Sequence, residues 1–162
     1  MPVWVSPRWR RKACSMFKPQ GARGQVLHQN DYYLKKTRSG ECIAAWLAVD
    51  PSDEENGGLP IVPGTQDAAI FCPHQADPAV SFTKDEVDLP TGLRPLPLAL
   101  RPGDVLVFNG VVAHGSFPNT GRDRFRRAFI ARHVPASSQE MSRWHNPLLT
   151  KSRRKPPPLG VG

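Results

Sequence analysis

A histidine and two adjacent arginines in residues 103–135 have types and spacing that could do chemistry together. The apolar run VLVF at 105–108 follows a Pro-Gly-Asp turn and predicts a buried strand, with His114 shortly after it. A second strand, residues 125–132, alternates so that Arg126 shares one face with Ala128, Ile130 and Arg132, while Arg127 lies on the other. One arginine set must therefore point inward.

An inward arginine calls for an anion, because a buried and unpaired charge is costly. His114 lies about one hairpin away, where a neutral imidazole could bind a metal. The alternative is that His114 is a hydrogen-bonded hairpin histidine and that the arginines form a basic outer face. A second metal ligand and a source of negative charge would favour the first interpretation.

The net charge of +8 is concentrated at the two ends of the chain. Residues 1–24 carry six Lys or Arg and no acid, and residues 122–162 carry ten against two, whereas the middle is acidic. The tail KSRRKPPPLGVG predicts a disordered extension. Its basic cluster suits either solubility or contact with an anionic surface.

Composition predicts one mostly β domain in a reducing compartment. Eighteen prolines and thirteen glycines favour short strands and turns. Residues 25–34 alternate weakly as a strand through His28, residues 42–49 predict a strand covered on both faces, and residues 67–97 predict an irregular segment. Three widely spaced cysteines suggest no disulfide framework, and no apolar run is long enough to span a membrane. A cytoplasmic location is therefore expected.

Four blocks, in order, resemble the phytanoyl-CoA dioxygenase family of iron(II)- and 2-oxoglutarate-dependent oxygenases. They are HQNDYYL, CIAAWLAVDPSDEENGGLPIVPGT, GDVLVFNGVVAHGS and RFRRAFIARHVP, within residues 15–135. The resemblance implies an all-β-dominated double-stranded β-helix, or jelly roll, which uses Fe(II), 2-oxoglutarate and O2 to oxidise a small organic substrate. It also implies that iron is held by an HxD pair and a distant histidine, and that an arginine farther along the chain binds 2-oxoglutarate.

Carried over by position, the resemblance assigns His28 and His114 as metal ligands. It assigns Arg126 to 2-oxoglutarate, with Arg127 as the fallback on the other strand face. Three further residues match positions beside the cosubstrate: Ser116, Trp46 and Lys18. Trp46 and Lys18 could equally be a core tryptophan and a solvated loop lysine. Gln29 is expected to face away from the metal.

One departure from the family pattern concerns the carboxylate ligand. The family commonly has HQDNYYL, whereas this chain has HQNDYYL, with Asn30 at the ligand position and Asp31 beside it. In an extended strand Asp31 would point away from a metal held by His28, unless a bulge adds a residue. Three outcomes follow: iron bound with Asn30 or water completing the site, Asp31 brought in by a bulge, or an inactive relative that keeps the fold for binding.

The predicted organisation is a basic N-terminal extension at 1–14, a jelly-roll domain at 15–136 and a basic, proline-rich tail at 137–162. The domain is shorter than is usual in the family and is expected to lack N-terminal strands and helices, which would expose sheet edges and favour a homo-oligomer. A nucleic-acid-binding module that uses the basic flanks and tryptophans is a further interpretation. A zinc hydrolase would need a third ligand, for which His74, His133 and His145 have no obvious claim.

Overall fold

The computed structural model describes residues 9–34 and 40–135, with side chains from residue 12 onward in these ranges. These residues form ten strands and one short helix. In chain order they are β1 (Trp9–Lys18), β2 (Gln25–His28), α1 (Asn30–Leu34), β3 (Ile43–Ala48), β4 (Pro60–Ile61), β5 (Pro73–Gln75), β6 (Asp85–Val87), β7 (Leu96–Pro97), β8 (Val105–Asn109), β9 (His114–Ser116) and β10 (Arg126–Pro135).

The strands form two four-stranded antiparallel sheets and a small hairpin. The larger sheet has the order β1-β10-β3-β8, and the smaller one has the order β2-β9-β4-β7. Strands β5 and β6 pair with each other. The mostly β architecture predicted from composition and turn spacing is confirmed.

The inner face of the larger sheet builds the core. In β3 the residues Ala44, Trp46 and Ala48 are buried and alternate with half-buried ones. Trp46 and Ala48 pack with Leu59, which precedes β4, and with Ala128 of β10. Because side chains alternate across a strand, this face carries Arg126 and Arg132 inward with Ala128, as the spacing predicted.

Three local predictions were wrong. The strand predicted at 25–34 ends at His28, and residues 30–34 form α1 instead, whose start is fixed by the Asp31 N–H donating to the carbonyl of Gly110 at 2.9 Å. Strand β3 is fully buried on one face only, not on both. Residues 67–97 are not wholly irregular, since β5 and β6 pair there and β7 joins β4.

The first strand begins before the predicted boundary between the N-terminal extension and the domain. Strand β1 begins at Trp9, inside the segment expected to be an extension, and pairs with β10 along its whole length. The predicted tail, Trp4 and Trp144 lie outside the described residues. Within residues 9–34 and 40–135, no helix has the length or the apolar character needed to cross a membrane.

Candidate functional site

A cavity of about 360 Å³ lies between the two sheets and contains most of the predicted site. Its walls come from β1, β3, β8 and β10 of the larger sheet and from β2 and β9 of the smaller one. Seven of the eight predicted site residues line it: Lys18, His28, Asn30, Trp46, His114, Ser116 and Arg126. Asp31 does not line it.

The two histidines face each other because β2 and β9 pair in register at these positions. His28 is the last residue of β2, and His114, which follows the predicted strand at 105–108, is the first residue of a separate strand, β9. Their ring centroids are 4.3 Å apart. A sheet thus joins two residues that are distant in the sequence.

Backbone carbonyls fix the orientation of both imidazoles. Nδ1 of His28 lies 3.0 Å from the carbonyl oxygen of Val26, and Nδ1 of His114 lies 2.8 Å from that of Val112. A carbonyl only accepts hydrogen bonds, so each Nδ1 carries the proton and each Nε2 keeps its lone pair. The Gln25 side-chain amide lies 3.2 Å from Nε2 of His28. This is the arrangement by which proteins orient metal-binding histidines.

Burial keeps both histidines neutral at physiological pH. Desolvation lowers the pKa of His28 to about 4, with a smaller contribution from the charge of Arg132. The pKa of His114 lies well below its ordinary value, chiefly through burial and then through His28. A neutral imidazole is the form that binds a metal, so neither ring must lose a proton first.

Asn30, and not Asp31, reaches the cavity. Its Oδ1 accepts a hydrogen bond from Nε of Arg132 at 3.4 Å. Asp31 is buried on the other side of α1, where its Oδ2 accepts the N–H of Gly40 at 2.5 Å. A Cβ on Gly110 would lie 1.8 Å from Oδ1 of Asp31. The Asp31 carboxylate therefore occupies the space that a side chain at position 110 would need. The irregularity in the β2–β9 pairing lies before His28 and does not turn Asp31 inward.

Gln29 faces away from the cavity that His28 and Asn30 line, in agreement with its predicted orientation. Its amide donates to the carbonyls of Val111 at 2.8 Å and Ala69 at 3.1 Å, and its oxygen accepts the N–H of Phe71 at 2.7 Å. These three bonds anchor the β2–α1 junction to two loops. They thereby hold the residues on either side, His28 and Asn30.

Two buried cations sit at the other end of the cavity. Lys18 and Arg126 are direct partners on β1 and β10, with 6% and 3% of their surfaces exposed. The Lys18 ammonium donates to Oγ of Ser116 at 2.8 Å and to the carbonyl of Phe117 at 2.5 Å. Burial, and then the charge of Arg126, lower the pKa of Lys18 to about 7.

The Arg126 guanidinium is held between a loop carbonyl and an aromatic ring. Its Nη2 and Nε donate to the carbonyl of Gly57 at 2.6 and 3.2 Å, and its Cζ lies 5.3 Å from the centre of the Trp46 ring. Burial lowers its pKa to about 10. Arg127, the fallback residue, faces outward and pairs with Asp50 at 2.7 Å. Of the two arginines considered for 2-oxoglutarate, Arg126 and not Arg127 can therefore reach a ligand in the cavity.

The donor set fits a small dicarboxylate well and iron in part. The described residues that line the cavity include Lys18, Arg23, Arg126 and Arg132 but no acid, so an anion is needed there. For a metal, the cavity offers two oriented imidazoles and one amide oxygen. Among the described residues, no three His, Cys, Asp or Glu side chains come together as a metal site.

Sequence analysis did not assign a role to several cavity residues. Strand alternation placed Arg132 on the inward face, but no function was assigned to it. Its charge and its position on the same face as Arg126 could have marked it as a second anion-binding residue. Phe108 ends the predicted strand at 105–108, and its ring centre lies 4.6 Å from that of His114. Gln25, Arg23 and Phe82 also line the cavity, and no motif marked them.

Comparison with known proteins places this chain in a family. The sequence model described as "Phytanoyl-CoA dioxygenase (PhyH)" matches residues 2–128. Dioxygenase lolE1 of Epichloe uncinata is 33% identical over 125 residues, which cover 77% of this chain and 46% of lolE1. Phytanoyl-CoA dioxygenase 1 of Oryza sativa subsp. japonica is 29% identical over 129 residues, 72% of this chain and 43% of that protein. The chain thus spans about half the length of these relatives.

A solved structure supports the same fold. The crystal structure of EvdO2 from Micromonospora carbonacea var. aurantiaca, complexed with 2-oxoglutarate, superposes with a TM-score of 0.63 at 21% identity. The match covers 79% of this chain and 52% of EvdO2. The predicted double-stranded β-helix is thereby confirmed. The chain belongs to the phytanoyl-CoA dioxygenase family of Fe(II)- and 2-oxoglutarate-dependent oxygenases.

Proposed function

We propose that this chain is an Fe(II)- and 2-oxoglutarate-dependent dioxygenase that oxidises a small organic substrate and releases succinate and CO2. One observation carries the proposal. A single cavity has two neutral histidines at one end, and at the other a buried lysine and arginine with no acidic partner among the described residues. These are the two binding functions that a metal and a dicarboxylate require.

His28 and His114 would hold the metal through their Nε2 atoms, and the amide oxygen of Asn30 is the third side-chain donor. Iron(II) with bound 2-oxoglutarate and O2 supplies the oxidising chemistry. Asn30 brings no negative charge, so it would neutralise less of the positive charge of the metal than a carboxylate ligand would. The half-buried Phe108 ring, whose centre lies 4.6 Å from that of His114, would limit access of water to this end.

Arg126, Lys18 and Ser116 would bind the distal carboxylate of 2-oxoglutarate. A guanidinium offers two parallel N–H donors to a carboxylate, and such charge-assisted bonds are about twice as strong as neutral ones. Lys18 adds a second charge and orients the hydroxyl of Ser116. Trp46 stacks against the guanidinium and restricts its position.

A second candidate is a relative that binds 2-oxoglutarate or another small carboxylate without oxidising a substrate. The contact of Asn30 with Arg132 favours it, because the amide oxygen already accepts a hydrogen bond from a cation and is drawn away from a metal. The hydrogen bond between Asn30 and Arg132 does not involve Lys18 or Arg126, the residues proposed to bind 2-oxoglutarate. The two candidates therefore differ in metal binding and not in dicarboxylate binding.

Anaerobic titration of Fe(II) and 2-oxoglutarate into the purified chain separates the candidates. The signal is the weak visible charge-transfer band of 2-oxoglutarate chelated to iron. We expect a band in the native chain that His114→Ala abolishes and that the control Arg127→Gln, outside the cavity, leaves intact. No band in the native chain, together with a band in Asn30→Asp, would reject oxygenation and favour the second candidate. A band that persists in His114→Ala would show that the metal binds elsewhere.

A further inference from the structure

We propose that Arg132 binds an anionic group of the substrate, so that the molecule taken into this cavity is an organic acid with an apolar body. The inference deepens the proposed function, and it rests on that function for the statement that the bound acid is the substrate. The acid-binding step itself is independent of whether iron binds.

Arg132 shares one row of the larger sheet with a small residue and an aromatic one. In register it pairs with Ala44 of β3, and Ala44 pairs with Phe108 of β8. All three line the cavity. The methyl group of Ala44 leaves space between the guanidinium and the Phe108 ring. The row therefore offers a cation at one end and an apolar wall at the other, which fits an acid with an apolar body.

Arg132 has no acidic partner within the described part of the chain. Its hydrogen bond goes to the neutral amide of Asn30, at the long distance of 3.4 Å. Arginines of the same region that face outward are paired, since Arg127 binds Asp50 at 2.7 Å and Arg124 binds Asp53 at 2.6 Å. A half-buried guanidinium with only a neutral acceptor is poised to bind a carboxylate or phosphonate oxygen pair.

The distal carboxylate of 2-oxoglutarate is not the anion that Arg132 would bind. Arg132 lies six positions after Arg126 on β10, which is roughly 20 Å at 3.3 Å per residue. Arg126 is also tied to the carbonyl of Gly57 and to the Trp46 ring. A carboxylate on Arg126 therefore leaves Arg132 available for a second anion.

The charge of the cavity points the same way. Four cationic side chains line it: Lys18, Arg23, Arg126 and Arg132. The two negative charges of 2-oxoglutarate offset the two positive charges of an iron(II) ion. Binding of both would therefore leave the net positive charge of the cavity lining unchanged. A neutral substrate would bury Arg132 without compensation, whereas an acid would provide it.

Calorimetric binding of matched small probes tests the proposal. The probes are benzoate, phenylphosphonate, the neutral benzamide and chloride, each titrated anaerobically into the chain saturated with Fe(II) and 2-oxoglutarate and into the chain alone. We expect at least one of the two aromatic acids to bind about tenfold or more tightly than benzamide. Comparison of the affinities for benzoate and phenylphosphonate identifies the type of acid that binds. Chloride tests whether the site binds any anion.

Substitution assigns the preference to Arg132. Arg132→Gln is expected to reduce the preference for acids to about twofold or less while the affinity for 2-oxoglutarate stays unchanged. Arg127→Gln, on the same strand but facing outward, should keep the preference. If Arg132→Gln does not fold, Arg132→Lys decides: the retained charge should keep a preference for acids, but loss of the forked donor should weaken both acids.

Four results would overturn the proposal. They are equal binding of benzamide and both acids, a preference that survives in Arg132→Gln, unchanged acid affinity in Arg132→Lys, and chloride binding as tightly as the preferred acid. Loss of 2-oxoglutarate binding in Arg132→Gln would instead assign Arg132 to the cosubstrate. Absence of the iron band would contradict the proposed function alone, since acid preference is measured without it.

Discussion

At the scale of residues, Asn30 and Asp31 show where sequence reasoning ends. Matching by position predicted that His28, His114, Arg126, Lys18, Ser116 and Trp46 would meet, and all six line one cavity. The sequence could not decide between Asn30 and Asp31, because the decision depends on where β2 ends. Once α1 begins at Asn30, successive side chains diverge by about 100° around a helix, and Asp31 turns to the back of the site.

Gly57 is the residue whose replacement should most specifically damage the end of the cavity that is proposed to bind 2-oxoglutarate. Its φ is 85°, and an added Cβ would lie 2.2 Å from Cδ of Lys18. We expect Gly57→Ala to displace Lys18 and the carbonyl that holds Arg126, and to weaken 2-oxoglutarate binding by about tenfold or more. Calorimetry of the chain with 2-oxoglutarate measures the change.

Gly103→Ala is the matched control for Gly57→Ala. Gly103 has a similar φ of 93°, but an added Cβ there meets nothing within 4 Å. Both variants should lose about 1–2 kcal/mol of stability from the left-handed backbone conformation, and Gly57→Ala should lose more because its Cβ also meets Lys18. Only Gly57→Ala should lose 2-oxoglutarate affinity. Equal affinity in the two variants would show that the position of Lys18 does not matter for binding.

At the scale of elements, the site depends on irregular segments that strands hold in place. Alternation predicted the inward arginines of β10, because strand period two is fixed by backbone geometry. It could not predict that the loop at 53–58 reaches across to Arg126 through the carbonyl of Gly57, since loop conformation depends on tertiary contacts. Arg124 stabilises this loop by pairing with Asp53 at 2.6 Å and with Glu55 at 3.0 Å.

The ion pair between Arg124 and Asp53 in the loop at 53–58 should make the free energy of unfolding fall at acid pH. The hydrogen bond from Arg124 is the main cause that lowers the pKa of Asp53 below its ordinary value of 3.8. A lowered folded-state pKa gives stability that is present above the unfolded pKa and is lost as pH falls through the folded one. The pair therefore stabilises the fold at neutral pH, and its contribution disappears as pH falls below 3.8.

Arg124→Gln tests this dependence by urea unfolding at pH 6, 4 and 3. At pH 6 the variant should be less stable by about 1 kcal/mol or less, because the pair is partly exposed. The difference from the native chain should be smaller at pH 3 than at pH 6. Arg101→Gln, which removes an arginine that is 89% exposed and 3.6 Å from Asp104, should leave the pH profile unchanged. A constant difference across the three pH values would exclude Asp53 as the titrating group.

At the scale of the whole molecule, the sequence predicted the two-sheet fold but not the exposure of the larger sheet. The apolar run at 42–49 predicted burial on both faces, yet the outward residues of β3, such as Leu47, are only half-buried. Within the described residues, Phe129 and Val105 flank Leu47 in register and are 41% and 53% exposed. What covers a sheet face is a property of the assembly, and hydrophobic pattern alone does not reveal it.

This outer face should drive association with a second copy of the chain. An apolar row that crosses three strands is larger than the isolated apolar residues usual on protein surfaces. We expect self-association that rises with protein concentration, and we expect Phe129→Lys to weaken it by about tenfold or more, because it places a charge within the apolar row. Sedimentation velocity over a range of concentrations measures both. Val80→Lys introduces the same charge at a residue that is 55% exposed in the loop between β5 and β6, and it should leave association unchanged. A native chain that stays monomeric, or two variants that behave alike, would show that this face does not bind a second copy.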